Sequence, residues 1–266
     1  MVPPSSPAAL DARRIRSALA GHAIGTEVQV HEELASTSDH VRELGLAGHP
    51  HGIVVLAESQ TAGRGRRENR WSAEPRHDLL FSILLRPVVS MDKFSRLATL
   101  AALGLSRGVE GSGTFVPQIK WPNDLLLDGK KFCGILAEMF TSQAGPFLVL
   151  GTGMNVNSIA FPPELRATAT SLRLESGGQA LERTGLAIAL LRGLEQALHS
   201  WDAGFENVIA EVKQRSILLG RRIRARIADE SVEGTAHGLG RDGSLVFLRD
   251  DGSMLEITSA ENVRLV

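Results

Sequence analysis

The sequence predicts an α+β fold, with a large N-terminal unit of strands and helices followed by a small barrel of short strands. Two apolar runs, Gly52–Leu56 and Asp78–Leu85, have the continuous hydrophobicity of buried strands. A helix opened by Asp92 is predicted over about Lys93–Gly108, and its apolar residues on several faces indicate that it packs against the sheet. From about Ser216 the pattern changes to short strands separated by turn signals, which is typical of a small barrel.

Composition limits the possible classes of function. The 266 residues suffice for one large core or for a core with a small module, and 29 basic against 30 acidic residues leave no overall positive field for nonspecific nucleic-acid binding. The single cysteine, Cys133, excludes an internal disulfide and a cysteine-based zinc site and fits a reducing cytoplasm. Residues 1–9 are predicted to be disordered, without a signal peptide, and no apolar run approaches the ~20 residues of a membrane helix. The histidines show no paired ligand spacing, so no metal site is predicted.

Short elements are predicted before the first buried strand. Asp11 is a candidate cap for a helix that ends near Leu19, and residues 28–31 have the pattern of a strand. The run Ser36-Thr37-Ser38-Asp39 then supplies several N-cap candidates for a helix that continues to about Leu46.

A loop rich in glycine and arginine lies between the two buried strands. Residues 60–71 read Gln-Thr-Ala-Gly-Arg-Gly-Arg-Arg-Glu-Asn-Arg-Trp. Guanidinium groups lose too much hydration on burial, so this loop is expected to be mobile when empty. Its glycines permit close backbone approach and its arginines can fork onto phosphate or carboxylate. The pattern favours a loop that closes over an anionic ligand; the alternatives are a flexible basic surface loop or a nucleic-acid contact.

A tight hairpin is predicted around Asp128-Gly129, which lies between two apolar runs. Asp124 and Lys131 should then share a face as diagonal neighbours, roughly 7–8 Å apart at Cα. The alternative is a solvated surface ion pair. Cys133 is expected on the same face, where a packed thiol is favoured over a nucleophile. The predicted pairs are Leu127–Lys130, Leu126–Lys131 and Asp124–Cys133.

A glycine-rich strand follows the hairpin. Residues 147–150 continue into Gly-Thr-Gly-Met-Asn-Val-Asn at 151–157. Glycines weaken a strand unless a backbone or a ligand must approach closely, so this strand is interpreted as a pocket wall with Gly153 and Asn155 near the ligand. The alternative is a β-bulge. Residues 158–180 are predicted to form loops with turns.

The C-terminal part is predicted to contain one long helix and then the barrel. The helix runs from about Leu181 to Trp201, and residues 222–227 alternate arginine with apolar residues, which predicts a half-buried strand with a basic outer face. Turn signals at residues 240–243 and 250–252 separate further strands.

Together these motifs resemble the biotin protein ligases, which attach biotin to carboxylase carrier domains. The sequence departs from the family's pattern at two places. Glu68-Asn69 replaces a glycine and a basic residue, and Ser38 stands where asparagine is common. Neither departure changes the reaction class. The motifs that carry the resemblance occur in the family's order: Ser36-Thr37-Ser38, Gln60 with Gly63-Arg64-Gly65-Arg66-Arg67, Lys120-Trp121-Pro122-Asn123-Asp124, Lys131 with Gly134, and the run 151–157.

The resemblance implies a domain organisation and a reaction. Residues 10–214 would form a class II aminoacyl-tRNA synthetase-like catalytic domain with a mixed sheet flanked by helices, and residues 215–266 an SH3-like barrel. The enzyme would be a cytoplasmic ligase that forms a C–N bond. It would activate biotin with ATP as biotinyl-5′-AMP and transfer it to a lysine of the carrier domain of an acyl-CoA or pyruvate carboxylase. Magnesium would be held mostly by nucleotide phosphates and water, without a protein cage.

The resemblance also implies roles for individual residues. Lys131 would be a point charge near the biotin carboxylate and the α-phosphate, and Asp124 would orient Lys131, the nucleotide or the incoming lysine. Trp71 would pack against the nucleotide or anchor the loop. Catalytic roles fall to Lys131, Arg66 and Asp124; biotin contacts to Ser36, Thr37, Ser38, Gln60, Gly63, Arg64, Lys131 and Gly134; and ATP or adenylate contacts to Arg64, Arg66, Arg67, Trp71, Asn123, Lys131, Gly153 and Asn155.

Three alternatives stay open at this point. A lipoate–protein ligase shares the fold and reaction type, although the arginine loop and the 120–124 run favour biotin. A biotin-responsive DNA-binding regulator would need an N-terminal winged helix of ~60 residues, and only about 25 residues precede the first catalytic strand, so no operator binding is expected. The third is a noncatalytic nucleotide- or peptide-binding module built on the barrel. The sequence makes no prediction of oligomeric state.

Overall fold

The structure is a computed structural model that describes residues 8–67, 69–86, 93–113, 115–227 and 230–266. The predicted helix cap Asp92, the departure at Glu68 and most of the predicted disordered N-terminus lie outside these ranges. The first elements are α1 (Ala12–Ala18), β1 (Glu27–Leu34), α2 (Thr37–Leu46), β2 (Ile53–Gln60), β3 (Leu79–Leu85) and α3 (Arg96–Glu110). There follow β4 (Gln118–Lys120), β5 (Asp124–Leu127), β6 (Lys130–Ser142), β7 (Gly145–Met154), α4 (Leu172–Glu175), α5 (Arg183–Leu198) and α6 (Phe205–Arg215). The C-terminal part holds β8 (Arg222–Ile227), β9 (Glu230–Leu239), β10 (Leu245–Leu248), β11 (Met254–Ile257) and β12 (Glu261–Leu265).

Strands β1 to β7 form one mixed sheet in the order β1-β2-β3-β7-β6-β5-β4. Strands β1 and β2 are parallel, and the other neighbours pair antiparallel. The two strands predicted to be buried, β2 and β3, lie inside the sheet, and every residue of β3 is buried. Strands β8 to β12 form a second, antiparallel sheet in the order β11-β10-β9-β8-β12. The predicted α+β class is therefore confirmed.

Two helices were not predicted from the sequence. The segment predicted to be loops contains the short helix α4, and α6 follows the predicted helix α5. Phe205, Val208, Ile209 and Val212 are buried on α6 at the i, i+3, i+4, i+7 spacing of an amphipathic helix. Helix α3 begins at Arg96, three residues later than expected. The predicted caps Asp11 and Ser36 both accept a backbone hydrogen bond at their helix N-termini.

Glycines allow α3 and α5 to pack very closely. A Cβ atom at Gly193 would overlap the carbonyl oxygen of Gly104, and one at Gly108 would lie 2.7 Å from Cα of Leu190. These neighbours are backbone atoms, so a side chain is accommodated only if the helices move apart. Helix α3 therefore holds a fixed distance from α5 on the face of the sheet.

Gly193→Ala is expected to lower the free energy of unfolding by about 1–3 kcal/mol, because an overpacked site forces backbone shifts. Urea unfolding followed by circular dichroism measures the change. Gly111→Ala is the matched control, since Gly111 has φ −66° and its nearest neighbour to a new Cβ lies 3.5 Å away. Equal midpoints for the two variants would contradict the close helix packing.

The C-terminal sheet is attached to the larger sheet through α3 and the 120–124 run. The indole Nε1 of Trp121 donates to the carbonyl of Gly243 at 3.0 Å, and the hydroxyl of Ser95 donates to the carbonyl of Asp242 at 3.1 Å. Gly243 has φ +86°, and a Cβ there would lie 2.6 Å from the hydroxyl of Thr99. This attachment places residues 260–264 over the larger sheet.

A buried ion pair fixes the end of β2. Glu58 and Arg183 lie 2.6 Å apart with side chains 2% exposed. Glu58 also accepts from the backbone of Leu10 at 2.7 Å, and Arg183 donates to the carbonyl of Ala8 at 2.7 Å. The pair thus joins α5 and the chain before α1 to the strand that ends at Gln60.

Across the described ranges, no helix has both the length and the hydrophobicity needed to cross a membrane.

Candidate active site

A cavity of about 1140 Å³ lies on the larger sheet, between the arginine loop, the β5–β6 hairpin and the start of β12. The N-terminus of α2 and the end of β2 contribute Thr37, Ser38 and Gln60 to its lining. The cavity thus brings together motifs that are up to about 230 residues apart in the sequence.

A chain of hydroxyl and amide groups forms one part of the lining. The side-chain oxygen of Gln60 accepts from the backbone N–H of Thr37 at 2.7 Å and from its hydroxyl at 3.1 Å. The Thr37 hydroxyl lies 2.8 Å from that of Ser82, which in turn lies 3.0 Å from that of Ser38. Ser36 caps α2 and does not line the cavity, so its predicted biotin contact has no geometric support.

Two paired glycines leave a floor without side chains. Gly134 of β6 pairs with Gly153 of β7, and the indole of Trp71 lies against both. A Cβ at Gly153 would overlap the Trp71 ring, and one at Gly134 would lie 2.9 Å from it. The indole Nε1 is buried without a hydrogen-bond partner among the described residues. Trp71 therefore covers the glycine floor and forms part of the cavity lining, with its buried indole N–H next to Gly153.

The β5–β6 hairpin contains a bulge that the sequence did not predict. Leu127–Lys130 and Leu126–Lys131 pair as expected, but Asp124 pairs with Gly134 instead of Cys133. The extra residue, Phe132, reverses the alternation of faces beyond Lys131. Asp124 and Lys131 therefore stay on the cavity face while Cys133 points into the core. The predicted proximity is confirmed, with Lys131 Nζ 2.6 Å from Asp124 Oδ1.

The backbone of Lys131 is fixed from a second side. Its N–H donates to the carbonyl of Thr168 at 2.8 Å, and its carbonyl accepts from Thr170 at 2.9 Å. Nζ also lies 5.5 Å from the centre of the Trp71 ring. Lys131 is thus held by backbone, carboxylate and aromatic contacts, while its side chain stays 38% exposed.

Cys133 is a core residue. Its side chain is fully buried, and this burial raises the pKa of the thiol well above its usual range. Because the thiolate is the nucleophilic form, a raised pKa makes the group unreactive. The expectation of a packed thiol is therefore confirmed, and the expected shared face with Lys131 is wrong because of the bulge.

Cys133→Ala is expected to leave turnover within about threefold and to lower the free energy of unfolding by roughly 1 kcal/mol, through lost packing. A turnover assay and urea unfolding measure the two effects. The native thiol should react with a disulfide reagent far more slowly than the thiol in denaturant. Loss of turnover in a folded variant would instead support a chemical role for the thiol.

The arginine loop lies against both sheets. Arg64 makes a two-pronged ion pair with Glu138, at 2.6 and 3.0 Å, and contacts Asp39 at 3.1 Å. Burial alone would lower the pKa of Arg64, but these carboxylates raise it. At the tip, Arg66 donates to the Ser259 hydroxyl at 2.6 Å and to the carbonyl of Ala260 at 3.1 Å. Arg67 forms an ion pair with Glu261.

Positive charge dominates the lining. Burial lowers the pKa of the Lys120 ammonium. The negative charge of Asp124 raises this pKa, whereas the positive charges of Lys131 and Arg264 lower it further. Burial also lowers the pKa of Arg66, again against the attraction of Asp124. Such a lining favours an anionic ligand. Among the described residues the lining holds three acidic residues, Asp124, Glu164 and Glu261, and seven basic ones, Arg64, Arg66, Arg67, Arg70, Lys120, Lys131 and Arg264.

Two predicted site residues have mainly structural contacts. Asn155 is buried and donates to the carbonyl of Thr170 at 2.9 Å, and it does not line the cavity. Asn123 lines the cavity, but its amide donates to the carbonyl of Ile135 at 2.7 Å. Gly63 also lies outside the lining, where a Cβ would overlap the carbonyl of Trp71.

Sequence reasoning missed Ser82, the cavity role of Lys120, and residues 260–264. Ser82 lies within an apolar strand, and its contacts with α2 form only in the folded chain. Lys120 stands in the motif that was singled out, so its position could have been read from that motif. No local signal marks residues 260–264. Within the described ranges, no three metal-ligating side chains of His, Cys, Asp or Glu cluster together.

The fold and the cavity define the class of biotin and lipoate ligases. The model of the biotin/lipoate A/B protein ligase family matches residues 31–155, and that of the biotin protein ligase C-terminal domain matches residues 218–261. The chain is 34% identical over 261 residues to a biotin–[acetyl-CoA-carboxylase] ligase of Mycobacterium tuberculosis, covering 96% of this chain and 95% of the relative. The chain belongs to the biotin protein ligase family.

Two further comparisons agree with this membership. The chain is 32% identical over 250 residues to the bifunctional ligase/repressor BirA of Bacillus subtilis, covering 92% of this chain and 77% of that protein. The solved structure of a biotin protein ligase from Aquifex aeolicus in complex with biotin and ATP is similar, with a TM-score of 0.78 and 26% identity. It covers 91% of this chain and 100% of that one.

Proposed function

We propose that the chain is an ATP-dependent biotin protein ligase. It activates biotin as biotinyl-5′-AMP, with release of pyrophosphate, and transfers the biotinyl group to a specific lysine of a biotin carboxyl carrier domain. The observation that carries this proposal is one cavity whose lining contains both the hydroxyl–amide chain at Thr37, Ser38 and Gln60 and the basic cluster around Lys131. The first suits a ureido ring, and the second suits a carboxylate beside phosphates.

The first reaction step brings two anions together. The biotin carboxylate attacks the α-phosphate of ATP, and pyrophosphate leaves. Positioned cations offset the repulsion and stabilise the charge that develops on the phosphate oxygens. Lys131 is assigned this role, with support from its place between Asp124 and Trp71. Lys120 adds a second positive charge beside it.

In the second step the acceptor lysine attacks the carbonyl carbon of the mixed anhydride, and AMP leaves. Asp124 was given three possible roles: to orient Lys131, the nucleotide or the incoming lysine. The 2.6 Å contact supports the first of these. A carboxylate that holds Lys131 also fixes the position of its charge, and this is the role proposed for Asp124.

The arginine loop covers the intermediate. Arg66 and Arg67 reach from the loop to residues 259–261, which supports a loop that closes against the C-terminal sheet. Arg64 has its guanidinium paired with Glu138 and Asp39, so its contacts support anchoring of the loop base. A closed cover shields the adenylate from water.

The nucleotide's magnesium ion would be coordinated mostly by phosphates and water. We retain the boundary between residues 214 and 215 as the proposed division of catalytic and C-terminal domains. It lies at the end of α6, seven residues before β8 begins.

The acceptor is proposed to be the carrier domain of an acyl-CoA or pyruvate carboxylase, and the compartment the cytoplasm. The single cysteine, Cys133, is buried and in no disulfide, which fits a reducing compartment. A lipoate ligase is the second candidate. The hydroxyl–amide chain favours biotin, because a ureido ring has N–H donors and a carbonyl acceptor, whereas a dithiolane ring has neither.

Mass spectrometry of an acceptor carrier domain tests the proposal directly. Incubation with the protein, ATP, magnesium and biotin should add one biotinyl group to one lysine. Reactions without ATP, and with the acceptor lysine replaced by arginine, serve as controls. A lipoyl adduct formed in preference to biotinyl in a competition with both acids would favour the second candidate, and no adduct with either acid would contradict both.

A further inference from the structure

Ser82 is a buried serine behind the cavity wall. It lies on β3, is 0% exposed, and is not itself part of the lining. Its hydroxyl is within hydrogen-bond distance of two lining hydroxyls, those of Thr37 at 2.8 Å and Ser38 at 3.0 Å. Ser82 pairs with Gly151 across the sheet, and a Cβ on Gly151 would overlap the Ser38 hydroxyl.

The direction of each hydrogen bond in this chain follows from Gln60. The backbone N–H of Thr37 can only donate, so the Gln60 atom that it contacts must be the carbonyl oxygen. That oxygen only accepts, so the Thr37 hydroxyl donates its one proton to it. Ser82 must then donate to Thr37, and Ser38 must donate to Ser82.

The consequence is a fixed polarity at the cavity surface. The Thr37 proton is engaged by Gln60 and the Ser38 proton by Ser82, so both hydroxyl oxygens can only accept from a ligand. The Gln60 amide NH₂ remains as a donor beside them. The wall therefore matches a ligand that has N–H groups next to a carbonyl, which is the pattern of a cyclic urea.

We propose that Ser82 is a positioning residue that determines specificity, because it accepts the Ser38 proton and so makes the Ser38 oxygen an acceptor toward N–H donors of the ligand. This inference rests on the proposed function, in which the ligand is biotin. Without the Ser82 hydroxyl, the Ser38 O–H is free to rotate toward the cavity and donate. The site then loses its discrimination between a ligand N–H and a ligand oxygen.

The test compares biotin with two analogues in which one or the other ring N–H is replaced by oxygen, giving cyclic carbamates of nearly unchanged shape. A site built to bind an N–H rejects an analogue without it, here by about 100-fold or more in kcat/KM for adenylate formation. The measured ratio is kcat/KM for biotin divided by kcat/KM for the analogue. Ser82→Ala should reduce this ratio at least tenfold for one of the two analogues. It should act mainly on KM, with kcat at saturating biotin nearly unchanged.

Ser106→Ala is the matched control, since Ser106 is equally buried and its hydroxyl donates within α3 to the carbonyl of Ala102. Its ratio should equal that of the wild type. Ser82→Cys keeps the size of the side chain and guards against misfolding of the alanine variant; it should give an intermediate ratio. If both Ser82 variants fold and keep the wild-type ratio, Ser82 is only a packing residue. Failure of the wild type to release pyrophosphate with biotin would instead contradict the proposed function.

Discussion

Lys131→Ala should lower adenylate formation by two to three orders of magnitude and leave the fold intact. Removal of one donor that stabilises developing charge typically lowers kcat by about 10²–10³. The side chain is 38% exposed and lies on the cavity face of a bulged hairpin, so its removal leaves no core void. Asp124 loses its partner, but at 22% exposure it stays in contact with water.

Single-turnover pyrophosphate release with biotin and ATP measures this effect, and thermal unfolding checks the fold. Lys130→Ala is the matched control, because Lys130 is the adjacent residue, is exposed, and lies outside the main cavity. The control should keep wild-type rates. Near-normal adenylate formation by a folded Lys131→Ala variant would remove Lys131 from the proposed mechanism.

Arg66→Gly should cause early release of the adenylate and labelling of unrelated lysines. The variant loses the two hydrogen bonds from the guanidinium to Ser259 and Ala260, each contributing roughly 1 kcal/mol. Such a loss shifts the loop at least tenfold toward open forms. It also removes a cation that interacts with Asp124 inside the cavity. The intermediate is then both less covered and less strongly bound.

Retention of radiolabelled adenylate through a desalting column measures release, and biotin transfer to a bystander protein measures promiscuity. Arg76→Gly is the control, since Arg76 has φ +65°, is paired with Glu32, and lies outside the cavity. It should retain the adenylate as the wild type does. Unchanged retention in Arg66→Gly would show that the loop is held closed through other residues.

Local signals predicted the elements of the site well. The Asp128-Gly129 turn and the two apolar runs beside it fixed the hairpin, and the caps Asp11 and Ser36 fixed two helix starts. These features depend on residues within a few positions of each other. Helix α6 had an equally clear local pattern, at Phe205, Val208, Ile209 and Val212, and could have been predicted.

Other features depend on contacts that form only after folding. The bulge at Phe132 puts that ring in the core while its neighbours continue the ladder, and an alternating pattern cannot reveal such an extra residue. The hydroxyl of Ser82 finds its partners on α2, more than forty residues away. Arg64 lines the cavity as expected of a ligand-binding residue, but its guanidinium also pairs with Glu138, and no spacing rule connects those two positions.

The floor formed by Gly134 and Gly153 has a consequence for inhibitor resistance. A compound that stacks on the Trp71 indole above this floor depends on a ring whose position the two glycines set. Any residue other than glycine would place its Cβ against Trp71 at either position, and at Gly134 also 3.2 Å from Nζ of Lys131. Escape by point mutation at the floor would therefore damage the enzyme at the groups it needs for turnover, and such a compound should select few resistant variants there.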